Sequence, residues 1–273
     1  MCNQSLLSPV RGWKRAENRR VILDQFRLDG RTALVTGSSA GLGAAIAIAL
    51  AEAGANVVCH GNSRSPEQTC KQIERLGKKV EAVQADLSQV AGPEKLFTKA
   101  LEFAPIDILI NNAGTIRRAR AAEYSDEDWN AVLQVNLNSV WKLCRAAGHA
   151  FLSRGSGGKI INIASLLAFQ GGINVPAYAA AKGAVAQLTK ALANEWAVHN
   201  VNVNAIAPGY MRTDNTSALQ RDEIRNRQIL ERIPAGRWGD PVDLCGAAVF
   251  LASPASDYIH GHVLVVDGGW MGR

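Results

Sequence analysis

The stretch RTALVTGSSAGLGAAIA, Arg31 to Ala47, decides the fold. Its opening residues, RTALVT, are apolar or β-branched without polar alternation, which predicts a strand buried on both faces. Its closing residues are small and helix-compatible. Between them Gly37, Gly41 and Gly43 fall where a strand turns into a helix. Glycine at such a turn lets backbone N–H groups approach a pyrophosphate, and the positive end of the helix dipole stabilises the bound charge. Gly37, Ser39, Gly41, Leu42 and Gly43 are therefore read as a dinucleotide-phosphate loop. A glycine triplet alone is weak evidence, but this one follows a strand, opens a helix and stands in the first βα unit.

Outward from that stretch the chain keeps one rhythm: NVVCH, KVEAVQADL, IDILINNAG, GKIINIAS, NVNAIAPG and VLVVDGG are strand candidates, each separated from the next by an amphipathic or small-residue segment. Apolar strands alternating with helices predict an α/β fold, a single-domain Rossmann-type doubly wound parallel sheet with helices on both faces. One segment departs from the rhythm. MRTDNTSALQRDEIRNRQILERI, residues 211–233, is polar and bracketed by Pro208-Gly209 and Pro234-Ala235-Gly236, and reads as a helical flap inserted between strand and helix.

The 273 residues suffice for one large α/β core. The net charge of +6 is uneven: residues 1–27 hold six Arg/Lys against two Asp/Glu, so the remainder carries only +2. Residues 1–27 read as a basic N-terminal extension, solvated or flexible, and residues 28–273 as the catalytic domain. Charge so confined disfavours nucleic-acid binding, although a basic tail can touch polyanions. No run of about 18 apolar residues suggests a membrane span, and the extension lacks the apolar centre of a signal peptide, so a cytoplasmic enzyme is expected. The five cysteines show no C-x-x-C or zinc-ligand spacing. They read as reduced packing residues, and no metal site is expected.

The second strand should end near the nucleotide's ribose, where an Asp or Glu would accept hydrogen bonds from the sugar and repel a 2′-phosphate. Here the chain offers His60, Gly61, Asn62, Ser63 and Arg64. Neutral residues and a cation favour NADP(H), with NAD(H) also accepted, and Asn62, Ser63 and Arg64 are the expected ribose-phosphate contacts. Asp86 and Leu87, closing the third strand, are placed beside the adenine. Asn112, Ala113 and Gly114 of NNAG are placed where a dinucleotide passes the sheet's carboxyl edge.

In PAYAAAKGAVAQL, Pro176 to Leu188, the only ionisable side chains are Tyr178 and Lys182. Positions i and i+4 share a helix face, and a lysine held beside a phenol should lower its pKa from about 10, making it a general acid/base. Ser165 ends the strand GKIINIAS at the same sheet edge as the glycine loop. With the glycine loop, NNAG, this serine and Y-x-x-x-K in order, residues 28–273 resemble the classical short-chain dehydrogenase/reductase family. The resemblance implies that Tyr178 is the catalytic acid/base and Ser165 binds the reacting oxygen. It also implies that Lys182 binds the nicotinamide ribose, that Asn136 in QVNLNSV holds a water of the proton relay, and that Pro208-Gly209 turns beside the nicotinamide. The many alanines of the Tyr178 helix leave it apolar on more than one face, and family members are commonly tetramers built on that helix, so a homotetramer is expected.

Within the family, segments such as GGKIINIASLLAFQGGINVPAYAAAKGAV and ILERIPAGRWGDP resemble bacterial dehydrogenases of deoxy and keto sugar acids. The substrate implied is a sugar acid, its secondary alcohol and ketone interconverted by hydride transfer. Arg117, Arg118 and Arg212 are candidates for its carboxylate, since arginine pairs with a carboxylate in bidentate fashion. Gln170, Tyr210 and Met211 are candidates for its hydroxyls and carbons. The alternatives are a 3-oxoacyl carrier-protein reductase or, in another class, a dinucleotide-sensing protein without chemistry. The set Asn136, Ser165, Tyr178 and Lys182 argues against the last.

Overall fold

The computed structural model describes residues 21–273; the first twenty residues of the basic extension lie outside them. Seven strands form one sheet, all pairs parallel: β1 (Thr32–Val35), β2 (Asn56–Gly61), β3 (Val80–Gln84), β4 (Ile108–Asn111), β5 (Gly158–Ile163), β6 (Val201–Pro208) and β7 (Val263–Val266). Their order is β3-β2-β1-β4-β5-β6-β7. The direction of winding reverses between β1 and β4, and open α/β sheets bind ligands outside the carboxyl ends of strands at such a point. Every strand expected from the sequence is present, and the doubly wound fold is confirmed.

The helices are α1 (Gly41–Glu52), α2 (Glu67–Arg75), α3 (Gly92–Phe103), α4 (Asp126–Leu133), α5 (Ser139–Arg154), α6 (Pro176–Trp196), α7 (Ser217–Arg221), α8 (Glu223–Arg232) and α9 (Cys245–Ala252). Side-chain alternation along the strands sorts the core into two layers. Ala33, Val35, Val57, Cys59, Ile108 and Ile110 pack with Ile46 and Leu50 of α1, Ile73 of α2 and Leu251 of α9. Leu34, Val58 and Leu109 point the other way, against Leu96 of α3, Leu143 and Phe151 of α5 and Val185 and Leu192 of α6. Both faces of the central strands are thus dry, which is why their sequences show no polar alternation.

A π turn, Gln134–Asn138, joins α4 to α5. Such a turn widens the helix by one residue and commonly marks a functional site. Asn136 stands inside it, fully buried. A buried polar string fixes α6 to the sheet: Asn111 Nδ2 donates to Asn162 Oδ1 at 2.9 Å, Asn162 Nδ2 donates to Thr189 Oγ1 at 2.9 Å, and the Thr189 hydroxyl donates to the Val185 carbonyl at 2.8 Å. Bonds of this kind, once desolvated, are costly to break. They hold the rotation of α6 and so aim Tyr178 and Lys182.

The flap comprises α7 and α8 with the turn Asp214–Thr216 before them. Its apolar anchor is a small cluster of Ile229, Ile233, Trp238, Trp270 and Leu166, with Tyr210 packed against it. Ahead of β1, a single turn over Ile22–Phe26 lays Phe26 against Phe250 with ring centroids 6.1 Å apart. Among the described residues no helix is long and apolar enough to cross a membrane, and no cluster of His, Cys, Asp and Glu could hold a metal ion.

Candidate active site

The glycine loop is built by hydrogen bonds from β4 as much as by its own residues. The Thr36 hydroxyl accepts the N–H groups of Asn112 and Ala113, both at 2.9 Å, and donates to the Ile110 carbonyl at 3.3 Å. Asn112 Nδ2 returns bonds to the carbonyls of Thr36 (2.9 Å) and Gly37 (3.2 Å). NNAG is therefore a clamp on the loop. Gly37 has φ +65°, a left-handed conformation that favours glycine, and a Cβ there would sit 2.9 Å from Ala113 Cα. A Cβ on Gly43 would collide with the Gly37 carbonyl and the Asn112 amide. Gly43 is thus required for packing, while Gly37 and Gly41 (φ +55°) shape the turn.

Helix α1 starts at Gly41 with no side-chain cap on its first N–H groups. The positive end of its dipole faces the cleft, an arrangement suited to a phosphate. These features fit a dinucleotide pyrophosphate. The cleft measures about 580 Å³ and runs from Ser39, Gly41 and Leu42 past Asn62, Ser63, Arg64, Leu87, Asn112, Ala113 and Gly114 to Tyr178 and Lys182. The sequence-derived loop and ribose residues largely meet here. Gly43, Asp86, Pro208 and Gly209 do not line the cleft; Gly43 packs against Gly37 and Asn112, and Asp86 bonds to Asn62.

His60, at the end of β2, is buried. Its Nδ1 accepts the Gly37 N–H at 3.0 Å, and its Nε2 lies 2.9 Å from the Ala85 carbonyl, so the proton sits on Nε2. Burial lowers its pKa below the usual imidazole value, and a neutral ring is what both bonds need. It bolts the loop to β2 and β3. Asp86 accepts from the Ser88 hydroxyl (2.7 Å), the Ser88 N–H (2.9 Å) and Asn62 Nδ2 (3.2 Å). Those bonds, the Ser88 hydroxyl first, hold its carboxyl below the usual range. It positions Asn62, and its neighbours Leu87 and Ser88 form the cleft wall.

At the other end of the cleft Lys182, buried on α6, donates from Nζ to the Ile163 carbonyl at 2.6 Å. Burial pushes its pKa down to about 8. The ammonium lies 5.5 Å from the centroid of the Tyr178 ring. The sequence predicts that this lysine depresses the tyrosine, whereas burial prevails and raises the Tyr178 pKa. The opposing pulls come from the Ser165 hydroxyl and the Arg118 charge, because the lysine head is turned to a strand-end carbonyl. Ser165 Oγ also accepts the Leu167 N–H at 3.2 Å, which fixes the side chain.

Asn136 spends both amide atoms on Thr115: Oδ1 accepts its N–H at 3.0 Å and Nδ2 donates to its carbonyl at 2.7 Å. Its side chain thereby fixes the loop after NNAG. Of the substrate candidates, Arg117 lines the cleft with Nε 3.5 Å from the Asp128 carboxylate. Arg118 donates from Nη2 to the Asn215 carbonyl at 3.1 Å. Arg212 donates from Nη1 to both carboxylate oxygens of Asp240, at 3.1 and 3.0 Å, and stands outside the cleft. Met211 is buried in the core against Gly239. Tyr210 packs edge-on to Trp238 at 5.4 Å and on Trp270 at 4.7 Å, and Gln170 Oε1 accepts the Trp270 indole N–H at 3.3 Å. Those last two residues and Met211 hold the flap's base.

Thr36, Thr115, Thr213, Asp214 and Asn215 belong to the site as well. Thr36 was readable in principle as the hydroxyl between strand and first glycine. The flap residues carried no local signal.

The family model described as enoyl-(acyl carrier protein) reductase matches residues 37–271. The chain is 51% identical over 254 residues to the 2-dehydro-3-deoxy-D-gluconate 5-dehydrogenase of Dickeya dadantii, covering 93% of this chain and 100% of that protein. A crystal structure from Agrobacterium tumefaciens with bound NADP, provisionally named 2-deoxy-D-gluconate 3-dehydrogenase, is 53% identical with a TM-score of 0.87, covering 91% of this chain and 99% of that one. A gluconate 5-dehydrogenase from Burkholderia cenocepacia, in complex with NADP and tartrate, is 40% identical with a TM-score of 0.86, covering 92% and 99%.

Proposed function

The chain belongs to the short-chain dehydrogenase/reductase family, and on that footing we propose that it interconverts a secondary alcohol and a ketone on a deoxy or keto sugar acid, using NADP(H) by preference and NAD(H) as well. The observation that carries this reading is one cleft joining the α1 glycine loop to Tyr178 and Lys182. The relatives' names supply the substrate class: 2-dehydro-3-deoxy-D-gluconate for one and gluconate for another. The NADP of two similar structures agrees with the neutral end of β2 and with Arg64.

The glycine loop and the N-terminus of α1 would hold the pyrophosphate, Asn62, Ser63 and Arg64 the ribose phosphate, and Lys182 the nicotinamide ribose. When bound, a nicotinamide dinucleotide donates or accepts the hydride. The protein's own part is the proton. Tyr178 gives its hydroxyl proton to the carbonyl oxygen in reduction and removes the carbinol proton in oxidation. The Ser165 hydroxyl donates to the same oxygen. The Arg118 cation favours the phenolate that remains, and Arg117, which lines the cleft, would pair with the substrate carboxylate.

A homotetramer and a cytoplasmic location complete the proposal. The first is supported by Ala180, Gln187 and Ala191, exposed at helical spacing on one face of α6, and by Trp141, an exposed aromatic on α5. The second is supported by the free buried thiols of Cys59, Cys70 and Cys144, which suit a reducing compartment.

The test follows reduced-cofactor absorbance with keto-deoxy sugar acids, plain keto-gluconates and acetoacetyl thioesters, each with both cofactors. Turnover of a keto sugar acid is expected. Turnover of thioesters alone would assign the chain to carrier-protein reduction instead.

A further inference from the structure

With the cleft read as a dinucleotide site, as proposed above, the loop after β2 supplies one cation, Arg64, within Gly61-Asn62-Ser63-Arg64-Ser65. Among the described residues its ion-pair partner comes from the opposite wall: Arg64 Nη1 stands 3.5 Å from the Asp214 carboxylate. Burial does not force this contact, since the Asp214 side chain is 91% exposed. The turn that carries it does. The Thr213 N–H donates to Thr216 Oγ1 at 3.1 Å, and the Thr216 hydroxyl donates to the Met211 carbonyl at 2.6 Å. From the other side Arg118 ties the Asn215 carbonyl. The Thr213 methyl approaches to 3.7 Å of where a Cβ on Gly41 would lie, so the turn also sits over the glycine loop.

A carboxylate is therefore delivered to the position where a 2′-phosphate would be received. The exposed pair is weakly held against water. A phosphate monoester carries more charge and matches a guanidinium in bidentate fashion, so it exchanges with the carboxylate at Arg64. While the carboxylate stays, it repels that phosphate and leaves a neutral ribose little affected.

We propose that Asp214 is a specificity-determining residue, a flap carboxylate that competes with the 2′-phosphate of the dinucleotide for Arg64. Preference for NADP(H) is then set from both walls of the cleft. Arg64 attracts the phosphate and Asp214 moderates that attraction, and binding the phosphorylated cofactor frees the Asp214 tether of the flap.

The test is direct binding to the full chain, without turnover, read from the fluorescence of NADPH and NADH. Adenosine 2′,5′-bisphosphate and 5′-AMP serve as displacing ligands that differ in the phosphate. Asp214→Asn should tighten NADPH about fivefold and NADH less than about twofold, an ordinary size for one exposed charge pair. Asp214→Glu should keep the wild-type ratio. In an Arg64→Ala background, Asp214→Asn should leave the ratio unchanged. Equal tightening of both cofactors would overturn the proposal by reducing Asp214 to a general negative charge, as would an unchanged ratio or an effect that survives Arg64→Ala. If the wild-type protein binds neither cofactor, the dinucleotide reading of the cleft itself falls, and this proposal with it. Thermal unfolding of each variant separates altered binding from altered folding.

Discussion

On the glycine-loop wall of the cleft the contacts are short, neutral and largely buried: the Thr36 hydroxyl, the Asn112 amide and the His60 ring close on backbone groups just past the ends of β1, β3 and β4. On the flap side they are charged and exposed, with Arg64 on Asp214 at the cleft and, outside it, Arg212 on Asp240 and Arg237 on Asp243. A desolvated hydrogen bond is costly to open because its partners find no water in exchange, whereas an exposed ion pair trades freely with solvent or ligand. One wall therefore presents fixed donors, and the other can yield to what enters. Tyr178 and Lys182 sit between them on a helix that the Asn111, Asn162 and Thr189 string holds still.

The largest expected effect tests whether chemistry is separable from both walls. Tyr178→Phe removes the hydroxyl proposed to carry the proton and leaves the walls intact. Its kcat should fall about a thousandfold, while NADPH binding, measured by fluorescence titration, stays within about twofold. Retained turnover would refute the role given to Tyr178.

Next, Thr36→Val breaks the fixed wall. It leaves the N–H groups of Asn112 and Ala113 without their acceptor, a loss of about 2–4 kcal/mol in urea unfolding, and it should weaken NADPH binding as the loop loses its clamp. A stability within about 0.5 kcal/mol of wild type would show that the clamp is not what fixes the loop.

The third effect has the opposite sign. Lys182 has a folded-state pKa of about 8 against the usual 10.5, so the unfolded chain binds the extra proton between those values. The penalty for burying the charge is fully present below pH 8 and fades as pH rises toward 10.5. Lys182→Met should therefore be inactive yet more stable at pH 7, by about 1–2 kcal/mol after the lost bond to Ile163 is counted. Denaturant unfolding at pH 7 and pH 10 should show that margin narrowing; a variant less stable than wild type at both would contradict it. On the flap, Asp240→Asn opens the exposed Arg212 pair and should cost less than about 1 kcal/mol. A cost like that of Thr36→Val would erase the contrast between the walls.

The same contrast explains what the sequence disclosed. The sheet, the glycine loop, NNAG and the Tyr178–Lys182 pair lie in continuous stretches, where spacing along the chain is spacing in the fold. The buried wall follows from them closely: Gly43 changed its meaning, from phosphate approach to packing against Gly37 and Asn112, and Asp86 moved from the cleft lining to the support of Asn62. The flap is different. Arg118 meets Asn215 across 97 positions, and no local pattern announces that Arg212 is neutralised by Asp240 or that Met211 turns into the core. Asn136 was found by its place in the chain. What its amide does depends on the π turn and on Thr115, which tertiary packing alone reveals.

The chemistry proposed for this cleft is the transfer of a hydride and a proton onto a sugar-acid carbonyl. It is tested most directly by supplying NADPH deuterated at the transferable nicotinamide position, with a 5-keto sugar acid, and locating the label by mass spectrometry and NMR. The expected result is one deuterium on the new carbinol carbon, formed by the wild-type protein and not by Tyr178→Phe. Oxidation of the cofactor without label in the sugar acid, or equal transfer by the Tyr178→Phe variant, would contradict it.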